Sequence, residues 1–386
     1  MEDTEIHDHF PVEEELEEGG QRSGIEQETA DDGSIGIVQP FDPEKIKIVR
    51  ETKTVSLLDT RITHGEIDLF PDFQRNSGLW TSRQKSRLIE SLLLRIPLPA
   101  FYVAADNNEN WAVVDGLQRL STIHTFMHND FQLTGLEYLV QFDKSKFGDL
   151  PRSMQRRIEE TELVLNVIQP GTPEEVMFNI FSRINTGGLT LNGQEIRHAL
   201  NKGPAREFLM RLASSEEFLS ATQNSISNKR MLDRECVLRF LAFRHKDWRD
   251  YQNNDLDGFL NTAMKALNKM TLSDLNQSYQ AFARSMSLAE SLFGDDAFRK
   301  RYHENDARKP ISKPLFEIWS VCLANLKANY DRQLLERAGE IRRSFSNLLL
   351  EDREFEASIT NSTNVPARVH KRFKTIESLL QGVIIP

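Results

Sequence analysis

The residues with the clearest chemical potential are Asp115, Gly116, Gln118 and Arg119, which stand close together in WAVVDGLQRLSTIHTF, residues 111–126. Glycine lets a ligand approach the backbone closely, and arginine offers paired N–H donors to phosphate oxygens. Asp115 could hold Mg²⁺ or orient a water molecule, both of which phosphoryl transfer requires. These residue types suit a nucleotide phosphate site, although the four residues alone favour an ordinary turn with Arg119 paired to a local carboxylate.

The surrounding pattern predicts a buried strand, a tight turn and an amphipathic helix. Residues 111–114 are consecutively apolar, and apolar residues then recur at helical spacing as far as Phe126. Asp115 stands at the expected N-cap, and Gln118 follows three residues later, as in a capping box. The helix would begin with unpaired N–H groups and a partial positive charge, and both favour an anion.

Composition indicates a globular chain in the cytoplasm. Of the 386 residues, 39% are hydrophobic, which is sufficient for a core, and the length suggests about two or three domains. Cys236 and Cys322 lie in apolar helical surroundings without zinc spacing, as is typical of thiols in a reducing compartment. We predict neither a signal peptide nor a membrane span, because no run approaches the roughly 18 uncharged apolar residues of a span.

The formal charge of −10 is concentrated in the N-terminal segment. Residues 1–40 hold 13 of the 58 acidic residues and one of the 48 basic residues, so the remainder carries 45 acidic and 47 basic residues. A segment this acidic with few apolar residues cannot bury enough surface to offset its ordering entropy. We therefore predict a disordered acidic tail over residues 1–40 and a near-neutral body that could still present a basic face to DNA.

Periodicity predicts an α/β (α+β) region over residues 41–200 and a mainly α-helical region over residues 201–386. The clearest patterns of the first region predict helices at 54–64 and 81–96 and strands at 101–105 and 162–169. Thr81 and Gln84 should form a capping box. The second region has helical patterns at 204–213, 233–246, 257–269, 277–293, 314–328 and 332–350.

Three separated blocks together resemble a known family. PDFQRNSGLW contains Gln74 and Arg75, VVDGLQRLSTIHTF follows it, and FSRINTGGLTLNGQEIRHAL contains Arg183, Asn185 and Gly188. In order and spacing they resemble the N-terminal domain of GmrSD-type, modification-dependent restriction systems, with the signature FQR…W, DGQQR and F-x-R-x-N-x-x-G. The resemblance covers roughly residues 50–200 and implies a ParB/sulfiredoxin-like fold.

The resemblance also implies binding of a nucleoside triphosphate, and in some members its hydrolysis, within a restriction or anti-phage defence role. By position, the residues implied to be catalytic are Asp115, Gln118 and Arg119, and those implied to bind the nucleotide are Gln74, Arg75, Gly116, Arg183, Asn185 and Gly188. Leu117 replaces the first Gln of DGQQR, which would weaken hydrolysis if that position contacts phosphate or water and would change nothing if it only packs. Mg²⁺ would arrive mainly on the nucleotide, because one carboxylate alone is a poor metal site; no metal held by the protein's own side chains is predicted.

Two other functions stay open at this stage, namely a non-enzymatic DNA-binding adaptor and a ParB-like, metal-dependent DNA nickase. Restriction enzymes of the family often carry a C-terminal HNH nuclease, which needs His and Asn side chains on a ββα hairpin. After residue 200 the histidines are His245, His303 and His370, and each is isolated. We therefore expect no HNH domain in this chain, so that any nuclease partner would be a separate protein.

Overall fold

The computed structural model describes residues 12–17, 20–28, 46–69, 80–173, 176–177, 180, 192–303 and 305–384. The chain divides into two compact units. The α/β unit is Ile37–Leu200, and the helical unit joins Met1–Gly36 with Asn201–Pro386. A mixed α/β region is therefore followed by a mainly helical region, which confirms the predicted fold class at this level.

The described strands are β1 (Glu14–Leu16), β2 (Arg22–Glu26), β3 (Ile48–Thr54), β4 (Ile67–Asp68), β5 (Phe101–Ala105), β6 (Trp111–Asp115) and β7 (Glu162–Ile168). The described helices of the α/β unit are α1 (Val55–Thr63), α2 (Ser82–Leu93), α3 (Leu117–Met127), α4 (Arg152–Glu159) and α5 (Gly193–Leu200). Those of the helical unit are α6 (Pro204–Ala213), α7 (Glu216–Ala221), α8 (Leu232–His245), α9 (Leu256–Leu267), α10 (Leu272–Phe293), α11 (Lys313–Asn325), α12 (Asp331–Glu336), α13 (Ala338–Glu351), α14 (Arg353–Ser358) and α15 (Pro366–Ile384).

The α/β unit is built on a five-stranded mixed sheet in the order β3-β7-β5-β6-β4. β3 pairs antiparallel with β7, and β5 pairs antiparallel with β6. The two remaining pairs, β5 with β7 and β4 with β6, are parallel. The strands predicted at 101–105 and 162–169 are confirmed to within one residue. In the sheet, β6 lies between β5 and the edge strand β4.

The position of β6 in the sheet explains its four consecutive apolar residues, since both faces of this strand are buried. Val114 packs with Ala104, Ile168 and the α5 residue Ile196 on one face. Val113 is fully buried and, because side chains alternate along a strand, points to the opposite face. A strand that is buried on both faces needs an unbroken apolar run.

Helix α2 shows how far local signals determine an element. Thr81 caps it through the predicted capping box, with the Thr81 side chain bonded to the Gln84 N–H and the Gln84 side chain bonded back to the Thr81 N–H. The helix ends at Leu93 rather than at residue 96, because Arg95 takes a left-handed conformation with φ 60°. The capping box is confirmed, and the predicted end was too late.

The predicted disorder of residues 1–40 is wrong for residues 12–17 and 20–28, which form part of the helical unit. β1 and β2 pair antiparallel, and Ile25 is fully buried. The Ile311 N–H donates to the Gly24 carbonyl at 2.9 Å, and the Glu26 N–H donates to the Ile311 carbonyl at 2.8 Å. The carboxylates of this hairpin face buried cations of the helical unit, an interaction between distant parts of the chain that composition does not reveal.

The helical unit has an aromatic-rich core. The ring centroids of Phe240 and Phe282 lie 5.0 Å apart, and the rings of Phe293 and Trp319 lie 4.6 Å apart. The helix predicted at 204–213 is present with these bounds, the next four are present with shifted ends, and the pattern at 332–350 is divided into α12 and α13. Within the described ranges, no helix has the length and apolar character that crossing a membrane requires.

Candidate functional site

The turn between β6 and α3 carries the residues that the sequence singled out. β6 ends at Asp115, and α3 begins at Leu117 with Gly116 as its N-cap. Gly116 has φ 95° and ψ 10°, and no side chain of the described residues caps the helix. The predicted N-cap role of Asp115 and its capping box with Gln118 are therefore wrong, because Asp115 is still part of the strand.

Arg119 connects this turn to the residues that lead into β5. Its Nη2 donates to Asp115 Oδ2 at 2.9 Å and to the Ala100 carbonyl at 3.3 Å, and its Nη1 donates to the Pro99 carbonyl. The guanidinium carbon lies 4.3 Å from the centroid of the Phe101 ring, a cation–π contact. Burial lowers the pKa of Arg119, and Asp115 acts in the opposite direction. Arg119 thus has internal partners on several sides, and its side chain is 13% exposed.

Gly116 is required here by its backbone and by a neighbouring ring. A positive φ of this size disfavours residues that have a Cβ. A Cβ at this position would also lie 2.2 Å from Cδ1 of Phe101. The sequence predicted that a ligand could approach Gly116 closely. In the structure the Phe101 ring occupies the space that a Cβ at Gly116 would need.

The first turn of α3 offers backbone donors beside these side chains. The helix has 11 residues, and its first intrahelical bond joins the Leu120 N–H to the Gly116 carbonyl at 2.9 Å. Gln118 is half-buried, whereas Leu117 is buried with 7% of its surface exposed. The Leu that departs from the DGQQR signature thus packs into the protein interior.

Five of the predicted site residues lie outside the described residues, namely Gln74, Arg75, Arg183, Asn185 and Gly188. The described part of the site comprises Asp115, Gly116, Gln118 and Arg119 on one strand-to-helix turn. Convergence of the three arginines on one pocket stays a prediction. The three histidines that follow residue 200 are placed on α8, on α15 and in the bend at residue 303.

A second group of polar side chains was missed by the sequence analysis, which predicted no metal ligands. Asp59 of α1 faces His124 of α3 and His128, the C-cap residue of the same helix. His124 Nδ1 lies 2.7 Å from Asp59 Oδ1, and His128 Nε2 lies 3.4 Å from Asp59 Oδ2. The spacing of two histidines four residues apart on a helix was the available signal, because it places both rings on one face. The sequence offered no means of assigning Asp59 as their partner.

The α/β unit is thus a mixed-sheet domain in which strand β6 leads through a positive-φ glycine into a helix. Residues 57–201 match the family described as GmrSD restriction endonuclease, N-terminal domain. The match confirms the predicted resemblance to this family over these residues. The matched residues run from within α1 to the end of α5, so they include the β6–α3 turn and the Asp59–His124–His128 group. A comparison with curated proteins finds no match.

Proposed function

We propose that this chain acts in a DNA restriction or anti-phage defence system in the cytoplasm, and that its α/β unit binds and hydrolyses a nucleoside triphosphate. Family membership of residues 57–201 supports the restriction role. The observation that carries the nucleotide proposal is the β6–α3 turn, where an 11-residue helix begins without a side-chain cap beside the Asp115 carboxylate. Backbone N–H groups and the positive end of a helix suit phosphate oxygens.

The charge of the turn indicates that the nucleotide would bind as its Mg²⁺ complex. Asp115 and Arg119 form an ion pair, so the two side chains contribute no net charge to attract a polyphosphate. The Asp115 side chain is 31% exposed, and its carboxylate would repel a bare triphosphate. Mg²⁺ is commonly held by one or two carboxylates together with substrate phosphates. In this proposal Asp115 contacts the ion and Gln118 orients the attacking water.

The partners of Arg119 assign it a positioning role. Its donors to Asp115 and to the Pro99 and Ala100 carbonyls hold the turn against the start of β5. Direct contact with phosphate would require Arg119 to leave Asp115, at a cost in free energy. The remaining phosphate contacts are proposed for the family-motif residues Gln74, Arg75, Arg183, Asn185 and Gly188.

The test is a titration of the full chain with ATP, GTP and CTP, each with and without Mg²⁺, followed by calorimetry and by phosphate release. Asp115→Asn keeps an oxygen for Arg119 and removes the charge, so we expect Mg²⁺-dependent binding to weaken about tenfold or more and phosphate release to fall further. Arg152→Ala is the matched control, because it removes a surface pair with Glu159 in the same unit, where the Arg152 side chain is 62% exposed.

Failure of all three nucleotides to bind would refute the proposal, and an unaffected Asp115→Asn protein would remove Asp115 from the site. Two other results would identify the rival functions. DNA binding that depends on salt but not on nucleotide would indicate an adaptor. Plasmid nicking that requires a divalent metal would indicate a ParB-like nickase. The proposal also allows a separate nuclease as a partner. Such a partner should be sought by testing whether its association with this chain depends on nucleotide.

A further inference from the structure

We propose that Asp59, His124 and His128 form a binding site for a divalent transition-metal ion, with Zn²⁺ as the expected occupant. Each of the three residues offers one donor atom, and these donor atoms all lie within 4.8 Å of one another. The site is separate from the β6–α3 turn in its residues, and its occupation requires no nucleotide.

The chemistry of the donors selects the class of ion. Two imidazole nitrogens and one carboxylate oxygen suit Zn²⁺ and its first-row neighbours, whereas Mg²⁺ and Ca²⁺ prefer ligand sets made of oxygen. Catalytic and exchangeable zinc sites typically have three protein ligands and keep a fourth position for water. The Asp59–His124–His128 group has the composition of such a site.

The distances are close to those that zinc requires. Zinc–donor bonds of about 2.0–2.2 Å in a tetrahedron place neighbouring donors roughly 3.3 Å apart. His128 Nε2 and Asp59 Oδ2 are 3.4 Å apart, and His124 Nδ1 and Asp59 Oδ1 are 2.7 Å apart, a hydrogen-bond length. Small rotations of the Asp59 and His124 side chains would therefore replace that hydrogen bond with metal coordination.

The backbone already brings these donors together. His124 in the last turn of α3 and His128 at its C-cap are four residues apart, and their ring centroids lie 4.4 Å apart at an interplanar angle of 51°. The side chains of Asp59 and His124 are 18% and 24% exposed, and that of His128 is 44% exposed. Two ligands are thus shielded, while the third lies at the surface, where an ion can enter.

Apolar residues border the inner side of the group. Asp59 and His124 line a small cavity together with side chains of α1, α3 and β7, namely Val55, Leu58, Ile62, Leu120, Ile123 and Leu163. Low-dielectric surroundings strengthen the attraction between a carboxylate and a cation. His124 lies at one carboxylate oxygen of Asp59 and His128 at the other, so two imidazole rings meet at a single carboxylate.

A bound ion would connect α1 to the C-terminal half of α3. The N-terminal end of the same helix carries Gly116 and Arg119. Coordination would fix α3 relative to α1, so we expect metal to protect both helices against local unfolding. Hydrogen exchange of these helices reports this effect without any measurement of activity.

The experiment is calorimetric titration of the untagged, metal-free full chain with ZnCl₂, supported by the visible absorption of the Co²⁺-substituted protein. The sequence His7-Asp8-His9 could bind metal by itself, so all proteins should carry His7→Asn and His9→Asn. In this background we expect one equivalent of Zn²⁺ per chain, and slower exchange in α1 and α3. Affinity should fall on acidification, because protons compete with the metal for its ligands.

His128→Ala is the informative variant, because this side chain is exposed enough to be removed without disturbing the core. We expect it to weaken Zn²⁺ binding at least about tenfold. Asp59→Asn should give a similar loss. His64→Asn is the matched control, since His64 is an exposed histidine at the end of α1 that is not part of the group. The proposal is overturned if the parent binds no Zn²⁺, or if folded His128→Ala binds it as tightly as the parent.

Discussion

Glu26 is the residue through which the N-terminal hairpin neutralises a buried lysine of the helical unit. The Lys300 side chain is fully buried, and its ammonium donates to Glu26 Oε1 and to Thr360 Oγ1, the latter at 2.7 Å. Burial raises the pKa of Glu26 above its ordinary value of 4.5, and Lys300 opposes that shift. Glu26→Ala would remove the carboxylate from the buried ammonium and leave its hydrogen bond to the Thr360 hydroxyl.

The expected cost follows from the burial of the lysine. Removal of one partner from a buried ion pair typically costs about 3–5 kcal/mol, because the other charge stays desolvated. Glu26→Gln keeps a hydrogen-bond acceptor and should cost less, about 1–3 kcal/mol. Glu26→Ala combined with Lys300→Met removes both charges, so we expect the double variant to be less destabilised than the sum of the two single variants by at least about 2 kcal/mol.

The assay should report the helical unit alone, because the chain has two compact units and need not unfold in one step. Hydrogen exchange of amides in α11, measured against urea concentration, meets this need. Glu15→Ala is the control from the same hairpin, since Glu15 Oε2 is 3.9 Å from Lys313 Nζ and its side chain is 39% exposed. We expect it to cost no more than about 1 kcal/mol. A Glu26→Ala protein as stable as this control would refute the view that the hairpin is integral to the unit.

Three further predictions concern Gly116, Glu90 and Asp233. Gly116→Ala should destabilise the α/β unit by more than about 2 kcal/mol in thermal unfolding, because φ is positive at this position and the new Cβ would collide with the Phe101 ring. An unchanged stability would contradict both causes. Glu90→Ala should cost about 2–4 kcal/mol, because the N–H groups of residues 137–139 lose their acceptor. Burial acts to raise the pKa of Glu90, but these N–H groups outweigh it and hold the pKa below 4.5. The stabilisation is therefore present above that pH and is lost on acidification, which acid unfolding should detect. Burial raises the pKa of Asp233 from 3.8 to about 6, so the free energy of unfolding should fall as pH rises through that interval, by at most about 3 kcal/mol. Asp233→Asn should remove this dependence on pH in denaturant unfolding, and an unchanged dependence would be contrary evidence.

Local sequence signals were sufficient wherever the physical cause is local. The Thr81 and Gln84 capping box depends on two residues three positions apart, and it forms as predicted. The unbroken apolar run Trp111–Val114 predicted a buried strand because both faces of β6 are covered. The family motifs in residues 57–201 likewise depend on spacing along the chain, and the predicted resemblance to the family is confirmed.

The sequence could not determine which distant groups would meet at the candidate sites. The four residues of the turn favoured pairing of Arg119 with a local carboxylate, which Asp115 provides, but they did not show that the other partners of Arg119 come from the segment before β5. The same limit applies to the choice of Asp59 as the partner of His124.

The sequence alone therefore determined the order and type of the main elements, the family resemblance of residues 57–201 and the strand-to-helix turn that follows β6. Tertiary structure decided which charges are paired. Glu26 and Lys300 are 274 residues apart, and composition placed Glu26 in a tail too acidic to fold. Their pairing arises because the folded helical unit buries a cation that needs a carboxylate, and this requirement does not exist until the chain has folded.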